Sequence, residues 1–175
     1  VERNGTDYGI YLNNVFPDDP DFRQAADYWS VEEVQHGDAL GRWAEMADPA
    51  WDFAAAFARF RAGYQIKLDA ESAVRGSRTG ELIARCMVET GTSSYYTALA
   101  EATDEPVLQH ICRLVAADEF RHFKLFYDHM RRYLAREHVS FIRRLRIAAG
   151  RITESEDDEL AFAYHCANEA DAVDY

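Results

Sequence analysis

Apolar and aromatic residues recur along most of the chain at alternating steps of three and four, the period of an amphipathic helix in a bundle. The longest stripe predicts a helix over about Phe22–Ala47, with Asp21 as its N-cap and Pro49 closing the segment. A second long stripe predicts a helix over about Val107–Tyr133. The inward positions of the two stripes are Phe22, Ala26, Trp29, Glu33, His36, Leu40, Trp43 and Ala47, and Leu108, Cys112, Val115, Glu119, His122, Phe126, His129 and Tyr133.

Shorter periodic segments predict the remaining helices, and no stretch alternates with period two for long enough to predict a strand. The segment Arg75–Gly80, with two glycines, is expected to be a loop, and Gly150 is expected to separate the last two helices. We therefore predict an all-α protein with a single domain over 1–175, in which the first helix is truncated and 135–175 form a C-terminal helical extension. The additional helices are expected over about Val1–Asn13, Trp51–Val74, Glu81–Ala102, 135–148 and 155–173.

Composition narrows the class of protein without indicating a function. Hydrophobic residues make up 48% of the 175 residues and charged residues 29%, enough to build a core and too apolar for intrinsic disorder. Acidic residues outnumber basic ones 31 to 19, and the net charge of −12 argues against general nucleic-acid binding. No apolar run approaches the ~18–20 residues of a membrane span. Three widely spaced cysteines are typical of a reducing compartment, so we expect a cytoplasmic protein.

Both long stripes contain the same departure from apolar character, a glutamate followed three residues later by a histidine. The pairs are Glu33–His36 and Glu119–His122. Residues three apart lie on one face of a helix, so each pair is directed at a common point. A buried carboxylate normally persists only when it is paired or bound to a metal. The repeated pair therefore indicates a metal site inside the bundle.

Each pair is preceded by a further glutamate at nearly the same distance, since Glu2 lies 31 residues before Glu33 and Glu89 lies 30 before Glu119. One glutamate from each of two helices, with Glu-x-x-His from each of two others, is the ligand set of di-iron and di-manganese carboxylate bundles. Carboxylate and imidazole ligands suit Fe(II) or Mn(II). We predict two iron ions per chain, with manganese as the alternative, held by Glu2, Glu33, His36, Glu89, Glu119 and His122.

Three more residues are candidates for orienting these ligands, because metal-bound histidines usually donate their second N–H to a carboxylate or carbonyl. Asp118 is predicted to orient His36 across the bundle, and Glu32 or a nearby group to orient His122. Glu32 could equally be exposed to solvent. Arg121, next to both members of the second pair, is expected either to hold a carboxylate or to lie on the surface.

Three segments of the chain resemble the soluble acyl-carrier-protein desaturases. Residues 32–38 (EEVQHGD) resemble the EExxHG segment of that family, residues 117–122 (ADEFRH) its ADExRH segment, and residues 89–92 (ETGT) its middle-ligand helix. The similarity spans about residues 2–130. It implies a ferritin-like fold, a di-iron centre on the same six ligands and Thr92 beside the oxygen-binding face.

The resemblance also implies a reaction and its partners. The family uses O₂ to introduce a double bond into an acyl chain carried on acyl carrier protein. It further implies a ferredoxin-like electron donor and a homodimer. Substrate identity is less firmly implied than the metal site, because the region before the first ligand is missing here and the C-terminal part is short.

Other di-metal proteins share this ligand set. A ribonucleotide reductase small subunit would place a radical tyrosine four residues after His36, where this chain has Leu40. A rubrerythrin would carry Cys-x-x-Cys, which this sequence lacks. Another di-iron oxygenase, such as a hydroxylase or N-oxygenase, and a ferroxidase or iron-storage protein are the alternatives.

A cluster of arginines near the C-terminus is the candidate docking site for the acidic carrier. Glu137 is the one acidic residue within 131–151, so this segment is strongly basic on an acidic chain. Such a patch can steer an anionic partner. Dipole-favouring arginines at helix ends are the alternative interpretation. The arginines are Arg131, Arg132, Arg136, Arg143, Arg144, Arg146 and Arg151.

Overall fold

The structure, a computed structural model, describes residues 1–155 and 159–168. These residues form seven α-helices and no strand, preceded by one turn of 3₁₀ helix at Glu2–Asn4, so the all-α prediction is confirmed. No helix among the described residues is both long enough and apolar enough to cross a membrane. The helices are α1 (Gly5–Val15), α2 (Pro20–Ala47), α3 (Phe53–Gly63), α4 (Arg78–Ala102), α5 (Pro106–Glu137), α6 (Phe141–Ser155) and α7 (Glu159–Asn168).

Four of the helices form two antiparallel hairpins. Residues 16–19 join α1 to α2, and residues 103–105 join α4 to α5. In the first hairpin Gly5 lies against Glu33, so closely that a Cβ on this glycine would overlap the glutamate side chain. Because α2 also packs on α5, the hairpins form a bundle, with α3, α6 and α7 on its flanks.

Side-chain caps determine where the bundle helices begin. The Asp19 carboxylate accepts a hydrogen bond from the Phe22 amide at 3.1 Å, so the predicted cap at Asp21 is wrong. The reason is Pro20, whose fixed φ and missing N–H suit the first helical position and move the start towards the N-terminus. Ser77 caps α4 in the same way, so that this helix begins three residues before the predicted Glu81.

Two apolar clusters fill the bundle, one on each side of the predicted metal ligands. One contains Phe22 and Trp29 from α2 with Phe126 from α5. The other contains Tyr96 from α4 with Val115 from α5. The Glu-x-x-His pairs lie along α2 and α5 between these clusters, so they form a polar layer within an otherwise apolar interior.

The predicted helix over Trp51–Val74 is wrong beyond Gly63. The backbone becomes extended at Tyr64, and none of residues 64–77 is helical. Ala70 is nevertheless buried at 4% exposure, and Asn14 donates to the Leu68 carbonyl oxygen at 2.7 Å. The segment therefore follows the bundle surface, where it covers the core without the regular period of a helix.

The ends of the chain also differ from the sequence prediction. The predicted helix over Val1–Asn13 begins as a 3₁₀ turn, and its α-helical part continues to Val15. Gly150 lies inside α6 rather than between helices, and nothing surrounds the position that its Cβ would occupy, so its penalty is the ~1 kcal/mol of helix propensity. The helix expected over 135–148 instead spans Phe141–Ser155, and the break expected near residue 134 falls after Glu137, where His138 has φ of 51°. Of the helix expected over 155–173, residues 156–158 and 169–173 lie outside the described part.

Candidate metal centre

The polar layer brings together five of the six predicted ligands from three helices. α2 supplies Glu33 and His36, α4 supplies Glu89, and α5 supplies Glu119 and His122. All five side chains are buried, and the carboxylates of Glu89 and Glu119 are 1% exposed. Three acidic groups are thus enclosed in a place that water hardly reaches, which is unfavourable unless cations or protons compensate the charge.

Four of these residues could share one metal ion. Glu33, Glu89, Glu119 and His122 each present a ligand atom, and the four atoms lie within 4.8 Å of one another. His122 Nδ1 is 3.0 Å from Glu33 Oε1 and 3.6 Å from Glu89 Oε2. We call these four residues the compact group.

His36 lies beside the compact group and approaches it through Glu119. Its Nδ1 is 3.2 Å from Glu119 Oε1, while the other Glu119 oxygen is 3.8 Å from His122 Nδ1. The two imidazole rings are 5.7 Å apart between centroids. Glu119 therefore lies between the two histidines and has one oxygen towards each of them.

Glu2 is placed differently from the other predicted ligands. It lies in the 3₁₀ turn rather than in an α-helix, it is half-buried, and it does not belong to the compact group. Its Oε1 accepts a 2.7 Å hydrogen bond from the hydroxyl of Tyr96. Burial, followed by the charge of Glu2, raises the pKa of Tyr96 well above its ordinary value, so this hydroxyl keeps its proton.

Sequence reasoning gave Tyr96 no role at the site. The signal that could have found it is its position seven residues after Glu89, two turns along the same inward face of α4. A buried tyrosine hydroxyl needs a hydrogen-bond partner, and a predicted carboxylate ligand is one that was available.

The predicted partners of the two histidines lie at the edge of the polar layer. His36 Nε2 is 3.2 Å from Asp118 Oδ2, and His122 Nε2 is 2.9 Å from Glu32 Oε2. These contacts are the ones expected from the sequence, and they cross between the hairpins in both directions. Arg121 bridges the two carboxylates, as it donates to Glu32 Oε1 at 3.0 Å and to Asp118. Each Nδ1 is thereby left to face the interior of the site.

Thr92 lies against a predicted ligand. Its hydroxyl is 2.8 Å from Glu119 Oε2 and 3.2 Å from the carbonyl oxygens of Val88 and Glu89. Thr92 is on α4 one turn after Glu89, so its position follows from the helix. The contact restrains the carboxylate that lies between the two histidines.

Protonation in the metal-free site is divided unequally among neighbouring carboxyl groups. Burial raises the pKa of Glu89 to about 8 and that of Glu33 well above the ordinary range. Burial also acts on Glu119, but contacts with His122 and His36 outweigh it and lower the pKa of Glu119.

The histidines show the complementary effect. Burial alone would lower the pKa of His122, but the neighbouring carboxylates, led by Glu119, raise it well above its ordinary value. The pKa of His36 is raised in the same way by Glu119 and Asp118 against the effect of burial. Without metal the site therefore holds protons that a bound cation would displace.

Buried polar atoms without a hydrogen-bond partner indicate whether these residues are suited to bind a metal ion. Most buried polar atoms in proteins have a hydrogen-bond partner. Within the described part of the chain, a set of buried atoms in the polar layer makes no well-aligned hydrogen bond, although the two histidine Nδ1 atoms lie 3.0 and 3.2 Å from carboxylate oxygens. They are Glu33 Oε1, His36 Nδ1, Glu89 Oε1 and Oε2, Glu119 Oε1 and His122 Nδ1. These atoms are the carboxylate and imidazole donors that Fe(II) and Mn(II) accept, so the residues fit a metal site.

A large cavity adjoins the carboxylates. Its volume is about 890 Å³, and Glu33, Glu89 and Glu119 contribute to one part of its wall. The rest of the lining is mainly apolar and includes Leu40, Trp43, Phe53, Phe57, Leu99 and Leu108. An apolar ligand of substantial size could therefore lie next to the polar layer.

Comparison of the chain with protein-family models, with curated proteins and with solved structures finds no match in any of the three. The acyl-carrier-protein desaturase family thus stays an expectation from short motifs. What is shown is an all-α bundle with a buried Glu and His group that could bind a metal ion. Function is therefore inferred from the chemistry of that group and of the cavity beside it.

Proposed function

We propose that this protein is a di-iron, O₂-dependent oxidoreductase that introduces a double bond into an acyl chain. The observation that carries the proposal is the contact between the buried carboxylate and histidine layer and a large, mainly apolar cavity. A site of this ligand set, loaded with iron, supplies the O₂ activation needed to remove hydrogen from an unreactive C–H bond. The protein supplies the geometry and excludes water.

Different residues of the protein would bind the metal ions, orient the histidines and hold a carboxylate in place. Glu33, Glu89, Glu119 and His122 would hold one ion, and His36 and Glu2 would hold the second beside Glu119. Asp118 and Glu32 would fix the imidazole orientations. The Thr92 hydroxyl would hold Glu119 in place on the side where the cavity meets the site.

The lining of the cavity favours an acyl chain, rather than a small polar molecule, as the substrate. Its wall is mainly aromatic and aliphatic, and burial of an extended acyl chain against it is favourable by about 25 cal/mol per Å² of apolar surface. The acyl chain would lie alongside Glu33, Glu89 and Glu119, which places the C–H bonds of the substrate next to the metal site.

We further propose that the acyl chain is presented by acyl carrier protein and that electrons come from a ferredoxin-like donor, with the protein acting as a homodimer.

Not all seven arginines of 131–151 are available for docking the acyl carrier protein. Arg132 contacts Asp19 at 2.6 Å, and Arg143 donates to the Gly76 carbonyl oxygen at 3.0 Å. Arg131 and Arg146 are exposed and are the better candidates to meet an acidic carrier.

The reaction class can be tested directly by product mass. The protein is supplied with Fe(II), O₂, a reducing system and a saturated acyl chain on acyl carrier protein. The expected product has lost two hydrogen atoms, and the variant Glu119→Ala should form none. Gain of an oxygen atom would replace the desaturase proposal with an oxygenase, and a mineral core of many irons per chain would replace it with iron storage.

Carrier docking has a separate test. The double variant Arg131→Glu and Arg146→Glu should bind the carrier more slowly at low salt and respond less to added salt. Arg42→Glu, a charge reversal at an exposed position of α2, is the matched control and should leave the association rate nearly unchanged. Equal rates for the double variant and the control would contradict docking at this segment.

A further inference from the structure

The two halves of the polar layer are assembled to different degrees. On one side, the four residues of the compact group already place their ligand atoms within 4.8 Å of one another. On the other side, His36 Nδ1 lies beside one predicted ligand, Glu119, and the Glu2 carboxylate accepts a hydrogen bond from Tyr96. The same ligand types thus form one near-complete site and one incomplete site.

The backbone around Glu2 is held firmly although it is not α-helical. The Asn4 amide donates to the Val1 carbonyl oxygen at 2.9 Å, which closes the turn. Arg3 packs against Gly37 so closely that a Cβ on the glycine would overlap the Arg3 backbone, and Arg3 also pairs with Asp38. Since Gly37 follows His36, the 3₁₀ turn is fixed beside His36.

The side chain of Glu2 is held by Tyr96. The phenol ring is 6% exposed and packs in the second apolar cluster, with an edge contact to Tyr95 at 5.3 Å between centroids. A rigid aromatic ring therefore fixes the point from which the hydroxyl donates. The hydrogen bond occupies Oε1 of Glu2, and a carboxylate has a second oxygen that can still ligate a cation.

We propose that Tyr96 is a positioning residue for Glu2, and that the centre fills in two steps of unequal affinity. The first ion binds at the compact group, and the second binds at His36 and Glu2 because Tyr96 holds the Glu2 carboxylate in place. The inference rests on the proposed di-metal function and adds to it the order of loading. Loss of a hydrogen bond to a ligating carboxylate typically weakens metal affinity 10–100-fold.

The experiment measures Mn(II) binding to the full chain by electron paramagnetic resonance, which counts free Mn(II) and distinguishes isolated bound ions from spin-coupled pairs. The wild-type protein should bind two ions in two resolved steps, with the coupled signal appearing only in the second. Tyr96→Phe should retain the first step unchanged and weaken the second by about 10–100-fold. Tyr95→Phe changes a neighbouring tyrosine that is 56% exposed and should behave as wild type.

A second variant distinguishes a loss of Glu2 as a ligand from a general effect on folding. Glu2→Gln keeps the shape of the side chain and its contact with Tyr96, but removes the ligating charge, so it should lose the second step and keep the first. Circular dichroism and thermal unfolding should be unchanged for both variants. Equal weakening of both steps in Tyr96→Phe, or two steps identical to wild type, would overturn the positioning role. A wild-type chain that binds no Mn(II) or Fe(II) would overturn the proposed function itself.

Discussion

The two hairpins carry the same ligand types at nearly the same spacing, yet they present them differently. In the second hairpin, Glu89 lies in the middle of α4 and is 1% exposed, with both oxygens buried and neither in a hydrogen bond. In the first, Glu2 lies in a one-turn 3₁₀ helix and one of its oxygens is engaged by Tyr96. Equal spacing in sequence therefore fixes which residues face the interior, whereas the backbone at each position decides how well they are pre-arranged.

The largest effect is expected at the residue that the two halves share. Glu119 has one oxygen near each histidine, so Glu119→Ala should abolish both binding steps. Elemental analysis after reconstitution with Fe(II) should fall from about two ions per chain to none, as expected for a dinuclear ligand set. Glu101→Ala, an exposed glutamate on α4, is the control and should retain both ions. Retention of one tightly bound ion by Glu119→Ala would show that the halves are independent.

A pH series sharpens the comparison, because the Glu89 carboxyl group is among the most enclosed titratable groups of the site. In the unfolded chain Glu89 ionises near 4.5, whereas burial holds its pKa at about 8 in the folded, metal-free protein. The folded state then binds more protons than the unfolded state between these values, so the free energy of unfolding should fall as pH rises through this window. The raised pKa values of Glu33 and His122 act in the same direction.

Urea unfolding in the presence of a chelator measures this dependence, and a decrease on the order of 3 kcal/mol between pH 5 and 8 is expected from such a shift. Glu89→Gln removes one of the titrating groups and should reduce the slope of the curve, while Glu101→Gln should not. Metal affinity should change in the opposite sense and increase with pH, because binding must displace protons. A metal-free protein whose stability rises over this range would contradict the assignment.

A smaller effect is expected at Thr92, which has the same relation to Glu119 that Tyr96 has to Glu2. Thr92→Val removes the hydroxyl and should weaken metal binding about tenfold, the low end of the range for such contacts. Thr92→Ser keeps the hydroxyl and should restore the affinity. If Thr92→Val leaves the affinity intact but lowers the yield of product per O₂ consumed, Thr92 acts on the reaction rather than on the ligand.

The smallest effect is expected where the hairpins meet at the surface. Arg121 joins Glu32 to Asp118, and its side chain is 59% exposed. Arg121→Gln should lower stability by less than ~1 kcal/mol, and added salt should remove most of the difference. Chemical denaturation at two salt concentrations measures this. A larger and salt-independent loss would mean that the arginine also determines the orientation of the histidines.

The sequence predicted the parts of the structure that depend on regular period. α2, α4 and α5 have long stripes in which the side-chain direction at each position follows from 3.6 residues per turn, so Glu33, His36, Glu89, Glu119 and His122 were correctly expected to meet. Asp118 and Glu32 were correctly paired with their histidines because each precedes a ligand on the same helix.

What sequence reasoning missed depends on contacts between distant segments or on departures from that period. Residues 64–77 contain enough apolar positions to suggest a helix, but tertiary contacts such as those of Ala70 hold them in an irregular path. Gly150 was read as a break although its position tolerates a glycine within a helix. The hydrogen bond of Tyr96 joins residues 94 apart, which no local pattern reveals.

The division of the ligands between two hairpins also has a consequence for the rate of folding. Each hairpin closes through a loop of three or four residues, so its contacts are local and should form quickly. Docking of the hairpins, in contrast, removes Glu33 and Glu89 from water, and their raised pKa values mean that both carboxylates take up protons when no cation is present. We expect this desolvation and proton uptake to slow the last step of folding in a chelator. Metal ions present during refolding should then shorten the time needed to reach the native state, in addition to stabilising that state once it has formed.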